Sequence, residues 1–134
     1  MVVFNHIGYA VTNIRWYLDE FLIPLFLPMK VGEIIEDPIQ QVRVAFVTLQ
    51  GGVKIELIEP MTDTSPVSRI LLAKRGGLYH LCYSVDNIDE EIKYFSNKGC
   101  RKISGPTPAA GFEGRRIAFL YTPQSDIIEL VEQV

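Results

Sequence analysis

The chain repeats itself, and a repeat limits its fold more than any other feature. His6-Ile7-Gly8-Tyr9-Ala10-Val11-Thr12-Asn13-Ile14 returns 74 residues on (80 − 6) as His80-Leu81-Cys82-Tyr83-Ser84-Val85-Asp86-Asn87-Ile88, matching at His, Tyr, Val, Asn and Ile. Arg43-Val44-Ala45-Phe46 returns as Arg116-Ile117-Ala118-Phe119. Ile55-Glu56-Leu57-Ile58-Glu59 returns as Ile128-Glu129-Leu130-Val131-Glu132, and both of these blocks sit at an offset of 73 (116 − 43, 129 − 56). A near-constant offset in three separated blocks indicates a duplicated module, with one residue lost between blocks. Each copy carries one His and one Glu at equivalent places. His6, Glu56, His80 and Glu129 are therefore a candidate two-His, two-carboxylate site.

Hydrophobic periodicity gives each copy the order β-α-β-β-β. In the first, Val2 to Val11 alternates as a strand, with Ile7, Tyr9 and Val11 on one face and His6, Gly8 and Ala10 on the other. Ile14, Tyr17, Leu18, Phe21 and Leu22 follow helical spacing after a Thr12 or Asn13 N-cap, and Pro24 is expected to end or weaken that helix. Val31 to Glu36 reads as a weak strand before the Asp37-Pro38 turn. Val42 to Leu49 and Val53 to Glu59 form a hairpin through Gln50-Gly51-Gly52. A short helix follows, with Ser65 as N-cap, Pro66 at its first position, Lys74 and Arg75 in its last turn and Gly76-Gly77 as its stop. The second copy runs from a Leu78 to Val85 strand into a helix from about Asn87, carrying Ile88, Ile92 and Phe95 and stopped by Gly99. Arg101 to Ser104 is a short strand, Gly105 to Gly114 a long loop, and Arg115 to Thr122 with Asp126 to Glu132 a closing hairpin. The expected organisation is one domain: module 1 at 1–62, a linker helix at 63–77 and module 2 at 78–134.

The chemistry follows from strand parity. Lys54, Glu56 and Ile58 share one face, as do Ile127, Glu129 and Val131. A carboxylate on a face committed to apolar packing is expensive unless it is paired, protonated or metal-bound. Two imidazoles and two carboxylates meeting across a pseudo-two-fold would satisfy one another through a divalent cation. Such a donor set suits nickel, cobalt, manganese, iron or zinc better than calcium. A lone strand histidine is most often structural, and duplication alone could keep all four residues; but these are the chain's two histidines and both lie in the repeat. Glu59 and Glu132 repeat as well, at strand ends with the opposite parity, and read as solvated.

Composition removes other classes. The net charge of −3 and pI near 5.4 argue against a nucleic-acid partner. No apolar run reaches the roughly 18 residues of a membrane span. The N-terminal residues show no basic segment ahead of an apolar stretch, so no secretory signal is expected. Cys82 and Cys100 lack CxxC spacing and read as thiols of a reducing, cytoplasmic setting.

On these residues the chain resembles the vicinal oxygen chelate superfamily, whose paired β-α-β-β-β modules form an open, curved, mixed β-barrel of α+β class around a metal. His6 in NHIGYAV, Glu56 in VKIELIEP, His80 in LYHLCYSV and Glu129 in DIIELVE fall on that family's four ligand positions. VRVAFV, IELIEP, SPVSRILLAKRGG and GRRIAFLYTP are similar to its methylmalonyl-CoA epimerase branch. A carboxylate at Glu56 points to the glyoxalase and epimerase types over the two-His, one-carboxylate dioxygenase and fosfomycin-resistance types.

The resemblance implies a lyase or isomerase, lactoylglutathione lyase-like or methylmalonyl-CoA epimerase-like. It would take an α-keto thiohemiacetal or acyl-CoA thioester, remove the proton α to the carbonyl and stabilise the enediolate on the metal. Glu129 is the first choice of base and Glu56 the second. The alternative is a resistance-type protein that sequesters a small molecule without metal. The chain departs from the epimerases at Val44, where they carry a second catalytic Glu, and it has Tyr79 where the residue before the second ligand is often His. Phe26 to Asp37 is also interrupted by proline. The 105–114 loop is either a closing flap or a plain connector. Arg69, Lys74 and Arg75 either meet a CoA phosphate or glutathione carboxylate or form a solvated helix end. The resemblance also implies a homodimer.

Overall fold

A computed structural model describes residues 1–133, with the backbone alone at Lys74. The fold is mixed α+β, with nine strands among the described residues. The chain divides into two compact units: His6–Tyr79, and Met1–Asn5 together with the segment from His80 on. No helix of the described residues is long and apolar enough to cross a membrane.

In the His6–Tyr79 unit the strands are β1 (Val3–Ala10, whose first three residues count with the other unit), β2 (Lys30–Val31), β3 (Ile35–Asp37), β4 (Val42–Thr48) and β5 (Lys54–Pro60). Their order is β2-β4-β5-β1, and β3 also pairs with β4. β1 and β5 run parallel, β4 and β5 antiparallel. The hairpin between β4 and β5 turns through Gly51 and Gly52, both at positive φ, as its sequence required. One face packs Ala45, Val47 and Leu57 under Ile14, Leu18 and Leu22. On the other face, Ala10, Val42, Val44 and Ile58 meet Val67 of α3 (Pro66–Lys74).

The first helix departs from expectation. It does not stop at Pro24 but runs as α1 (Ile14–Tyr17), a π-helical turn (Leu18–Leu22) and α2 (Ile23–Phe26), ending at Leu27 in the left-handed region. In the π turn the Ile23 amide reaches back to the Leu18 carbonyl, so the ladder is already displaced where the proline amide is missing. The displacement rotates Phe21 outward, leaving it 39% exposed, although its sequence spacing put it in the core. A cavity of ≈ 180 Å³ in this unit is lined by Tyr9, Tyr17, Leu22, Phe26, Leu49, Ile55 and Leu57. The weak strand expected at 31–36 is two short pieces, β2 and β3.

The other unit has β6 (Gly77–Val85, whose first three residues count with the His6–Tyr79 unit), β7 (Arg101–Pro108), β8 (Arg116–Tyr121) and β9 (Ile127–Glu132), in the order β6-β9-β8-β7. β6 and β9 are parallel, β8 and β9 antiparallel. α4 (Ile88–Asn97) is regular and packs Ile88, Ile92 and Phe95 on Ala118, Leu120, Ile128 and Leu130. The long loop expected at 105–114 is largely absent. Thr107 and Pro108 stay paired to β8 after register shifts on both sides of Ser104, and Ala110–Phe112 closes as a 3₁₀ turn with Phe112 buried. Two prolines and a glycine disguise that strand, because such residues are tolerated in strands mainly at edges and bulges. β7 is an end strand of the order, where its outer amides have no ladder to serve.

Candidate metal centre

In the His6–Tyr79 unit the parallel register sets Gly8 beside Glu56, and His6 lies two residues earlier on the same face of β1. His6 Nε2 comes within 3.1 Å of Glu56 Oε1. Both side chains are buried. Across the antiparallel rung Glu56 faces Phe46, whose ring meets the His6 imidazole edge-on, at 5.3 Å between centroids and 83° between planes.

The unit from His80 on repeats this arrangement in its own register. Cys82 sits beside Glu129, and His80 lies two residues before Cys82. His80 Nε2 stands 3.0 Å from Glu129 Oε1, again with both side chains buried. Phe119 faces Glu129 across β8 and β9, and its ring meets His80 at 5.4 Å and 70°. His6 is thus brought to Glu56 and His80 to Glu129, each with an aromatic wall. Phe46 and Phe119 were missed as wall residues, although the repeat carried them at an offset of 73 (119 − 46).

An Nε2-to-Oε1 approach of 3.0–3.1 Å admits two chemistries. With the proton on Nε2, the His6–Glu56 contact is a hydrogen bond. With the proton on Nδ1 both atoms turn lone pairs toward a cation. Among the described residues these two pairs have the composition and burial of metal ligands.

Glu59 and Glu132 correct the sequence reading, for neither is solvated. Glu59 accepts from the Ile14 amide at 2.7 Å and from Arg43 Nη1 at 3.0 Å. Glu132 accepts from the Ile88 amide at 2.9 Å and holds the Arg116 guanidinium. Each ties a strand end to the first turn of a helix whose other N-cap is Asn13 or Asn87, bonding the Trp16 and Glu90 amides. Glu59, then Glu36, raises the Arg43 pKa above its ordinary value; Glu132, then Asp89, does the same for Arg116. The repeat therefore serves two ends: His, Glu and Phe build the buried pairs, while Arg, Glu and Asn clasp the helices to the strands.

Other site expectations fare unevenly. Val44 is buried among Ala10, Val42, Ile58 and Val67, a wholly apolar setting. Tyr79 packs against that cluster. Arg69 and Arg75 are exposed, and the Lys74 side chain lies outside the described residues. Cys82 is buried and Cys100 half-buried, both as free thiols.

Two β-α-β-β-β units, each with one buried imidazole–carboxylate pair, define a duplicated-module protein whose paired side chains could hold a metal ion. The chain belongs to the Glyoxalase/Bleomycin resistance protein/Dioxygenase superfamily, which its residues 5–119 match. It is 30% identical over 135 residues to the mitochondrial methylmalonyl-CoA epimerase of Dictyostelium discoideum, covering 96% of this chain and 77% of that one. It is 30% identical over 118 residues to the ethylmalonyl-CoA/methylmalonyl-CoA epimerase of Cereibacter sphaeroides, covering 87% and 86%. A Streptomyces coelicolor methylmalonyl-CoA epimerase variant in complex with 2-nitronate-propionyl-CoA superposes with a TM-score of 0.81 at 26% identity, covering 98% of this chain and 94% of that one. The likeness to the epimerase branch, first read from short motifs, extends over nearly the whole chain.

Proposed function

We propose that the chain is a divalent-metal-dependent epimerase of malonyl-type CoA thioesters, with His6, Glu56, His80 and Glu129 holding one cation. The observation that carries this reading is the matched pair of buried Nε2-to-Oε1 contacts, 3.1 Å in one unit and 3.0 Å in the other. The epimerase relatives favour an acyl-CoA thioester over the α-keto thiohemiacetal of the lactoylglutathione lyase-like alternative. The four residues supply neutral imidazole and carboxylate donors, suited to nickel, cobalt, manganese, iron or zinc. A cation bound there supplies Lewis acidity that stabilises negative charge growing on the thioester oxygen.

The chain's own groups move the proton. Glu129 takes the α-proton, since a carboxylate beside a buried imidazole is shielded from water and aimed along a fixed strand face. Epimerisation then needs a proton returned to the opposite face of the α-carbon. Val44 has no acid to give, and Glu56 is the second buried acid of the set; it returns a proton that it has taken up from solvent and is left again as the carboxylate, while Glu129 gives its own proton to solvent. Phe46 and Phe119 limit the swing of the two imidazoles and keep water off them.

The test is wash-in of solvent deuterium at the α-carbon of methylmalonyl-CoA, followed by proton NMR. Exchange that stops on chelation and resumes with added metal supports the reading. Chelated protein that keeps its affinity for the thioester but exchanges nothing, with or without metal, would instead mark a sequestering protein. Light scattering tests the accompanying expectation of a homodimer.

A further inference from the structure

The duplication is close at His, Glu and Phe and breaks one rung away. A symmetric pair of His–Glu sites must still orient an unsymmetrical substrate, so the residues that break the repeat nearest the site carry the orientation. In the His6–Tyr79 unit the rung next to Phe46 and Glu56 on the same strand faces is Lys30, Thr48 and Lys54: Lys30 pairs with Thr48, and Thr48 with Lys54. The second unit puts Tyr121 and Ile127 at the positions of Thr48 and Lys54 (48 + 73, 54 + 73), paired with each other in the same way.

Lys54 lies two residues before Glu56, about 7 Å along the strand. Its ammonium sits over the Phe46 ring, 5.7 Å from the centroid, and that ring is the one standing edge-on to His6. A cation is thus parked on the wall of the candidate site. Among the described residues neither Lys54 nor Lys30 enters an ion pair, and both are exposed. An ammonium over a half-buried, uncharged ring is held less firmly than one hydrogen-bonded to an ionised oxygen. Lys54 would therefore leave the ring for an anion.

We propose that Lys54, assisted by Thr48 and Lys30, forms an oxyanion subsite that takes the free carboxylate of a malonyl-type acyl thioester; the proposal rests on the epimerase reading above. Carboxylate and CoA phosphate share the required chemistry. The rung adjoins Glu56, however, and so suits a group attached to the reacting carbon better than phosphates at the far end of a pantetheine arm.

The experiment compares wild type, Lys54→Met and Lys54→Arg on methylmalonyl-CoA, propionyl-CoA and methylmalonyl-pantetheine, by deuterium wash-in and by titration calorimetry, with folding confirmed by circular dichroism. Met keeps the length of the side chain and removes its charge. The expected result is an about tenfold fall in the preference for methylmalonyl-CoA over propionyl-CoA in Lys54→Met, largely restored in Lys54→Arg and equally large with the pantetheine thioester. An equal loss on both CoA thioesters, or no change in preference, overturns the proposal. A loss confined to CoA thioesters and absent with pantetheine assigns the lysine to phosphate and overturns it too. If wild type exchanges no substrate, the epimerase reading fails. The subsite is then judged on calorimetry alone, where unchanged methylmalonyl-CoA affinity in Lys54→Met refutes it.

Discussion

Replacing Glu59 with alanine tests how the repeat joins helix to strand. The Ile14 amide is one of the donors that a helix start leaves without an intrahelical partner, and Ile14 is fully buried. In the variant that amide loses its 2.7 Å acceptor, and Asn13 cannot take over because its side-chain oxygen already serves the Trp16 amide. A hydrogen bond from a shielded donor to a carboxylate accounts for about 1.5–3 kcal/mol, and the negative charge at the helix start adds about 0.3–1 kcal/mol. The Arg43 pair adds little, since Arg43 is 38% exposed and keeps Glu36 as a partner. The sum is roughly 2–4 kcal/mol, or a fall in Tm of roughly 10 °C for a chain of this size. Glu59→Gln keeps one acceptor oxygen and is expected to lose about half as much. Urea unfolding with an unchanged m-value is the assay. A loss below about 0.5 kcal/mol, the usual effect of changing a solvated surface residue, would refute the clasp.

Glu129→Gln is expected to reduce α-proton exchange by roughly 10²–10⁴-fold, the range for loss of a general base, with little change in the unfolding midpoint; near-normal exchange would remove Glu129 from the mechanism. Burial, helped by a hydrogen bond to Tyr9, pushes the Tyr17 hydroxyl up to about 12. A raised folded-state pKa makes neutral Tyr17 stabilising below pH about 10, and that contribution is lost as pH climbs from about 10 toward 12. Tyrosinate absorbance should accordingly show a late phase near pH 12 that Tyr17→Phe removes. Gly105→Ala is expected to destabilise by more than about 2 kcal/mol, because φ is +88° and the new Cβ would collide with the Ile117 carbonyl oxygen and stand 2.9 Å from Ala118 Cα. Gly51→Ala, at a similar φ with nothing within 4 Å, should cost less in the same thermal melt.

Much of the fold and of the site could be read from the residues, because duplication turns single observations into pairs. One buried histidine says little, but His6 and His80 in the same motif, each with a glutamate at matching parity, point to one chemistry. Strand parity also found the buried face correctly at Glu56 and Glu129. Parity failed at Glu59 and Glu132, since it reports which way a side chain points but not that a helix begins beside the strand end and offers bare amides. The π turn was hidden because Pro24 argues for termination. Its missing donor is tolerated where the ladder has already slipped, and that depends on Leu18, Leu22 and Leu57 packing together. β7 was hidden because Gly105, Pro106 and Pro108 suit a loop as well as a bulged edge strand. Phe46 and Phe119 lay in the repeat, but the chain alone does not show that each faces a histidine.

The most direct test is metal stoichiometry by mass spectrometry on wild type, His6→Ala and His80→Ala, each folded by circular dichroism. Four ligands around a common cation require one divalent ion per chain in the wild type and near-complete loss in either variant, although the two histidines belong to different units. Half-loss in each variant, two ions per chain, or metal content indifferent to both histidines would contradict it.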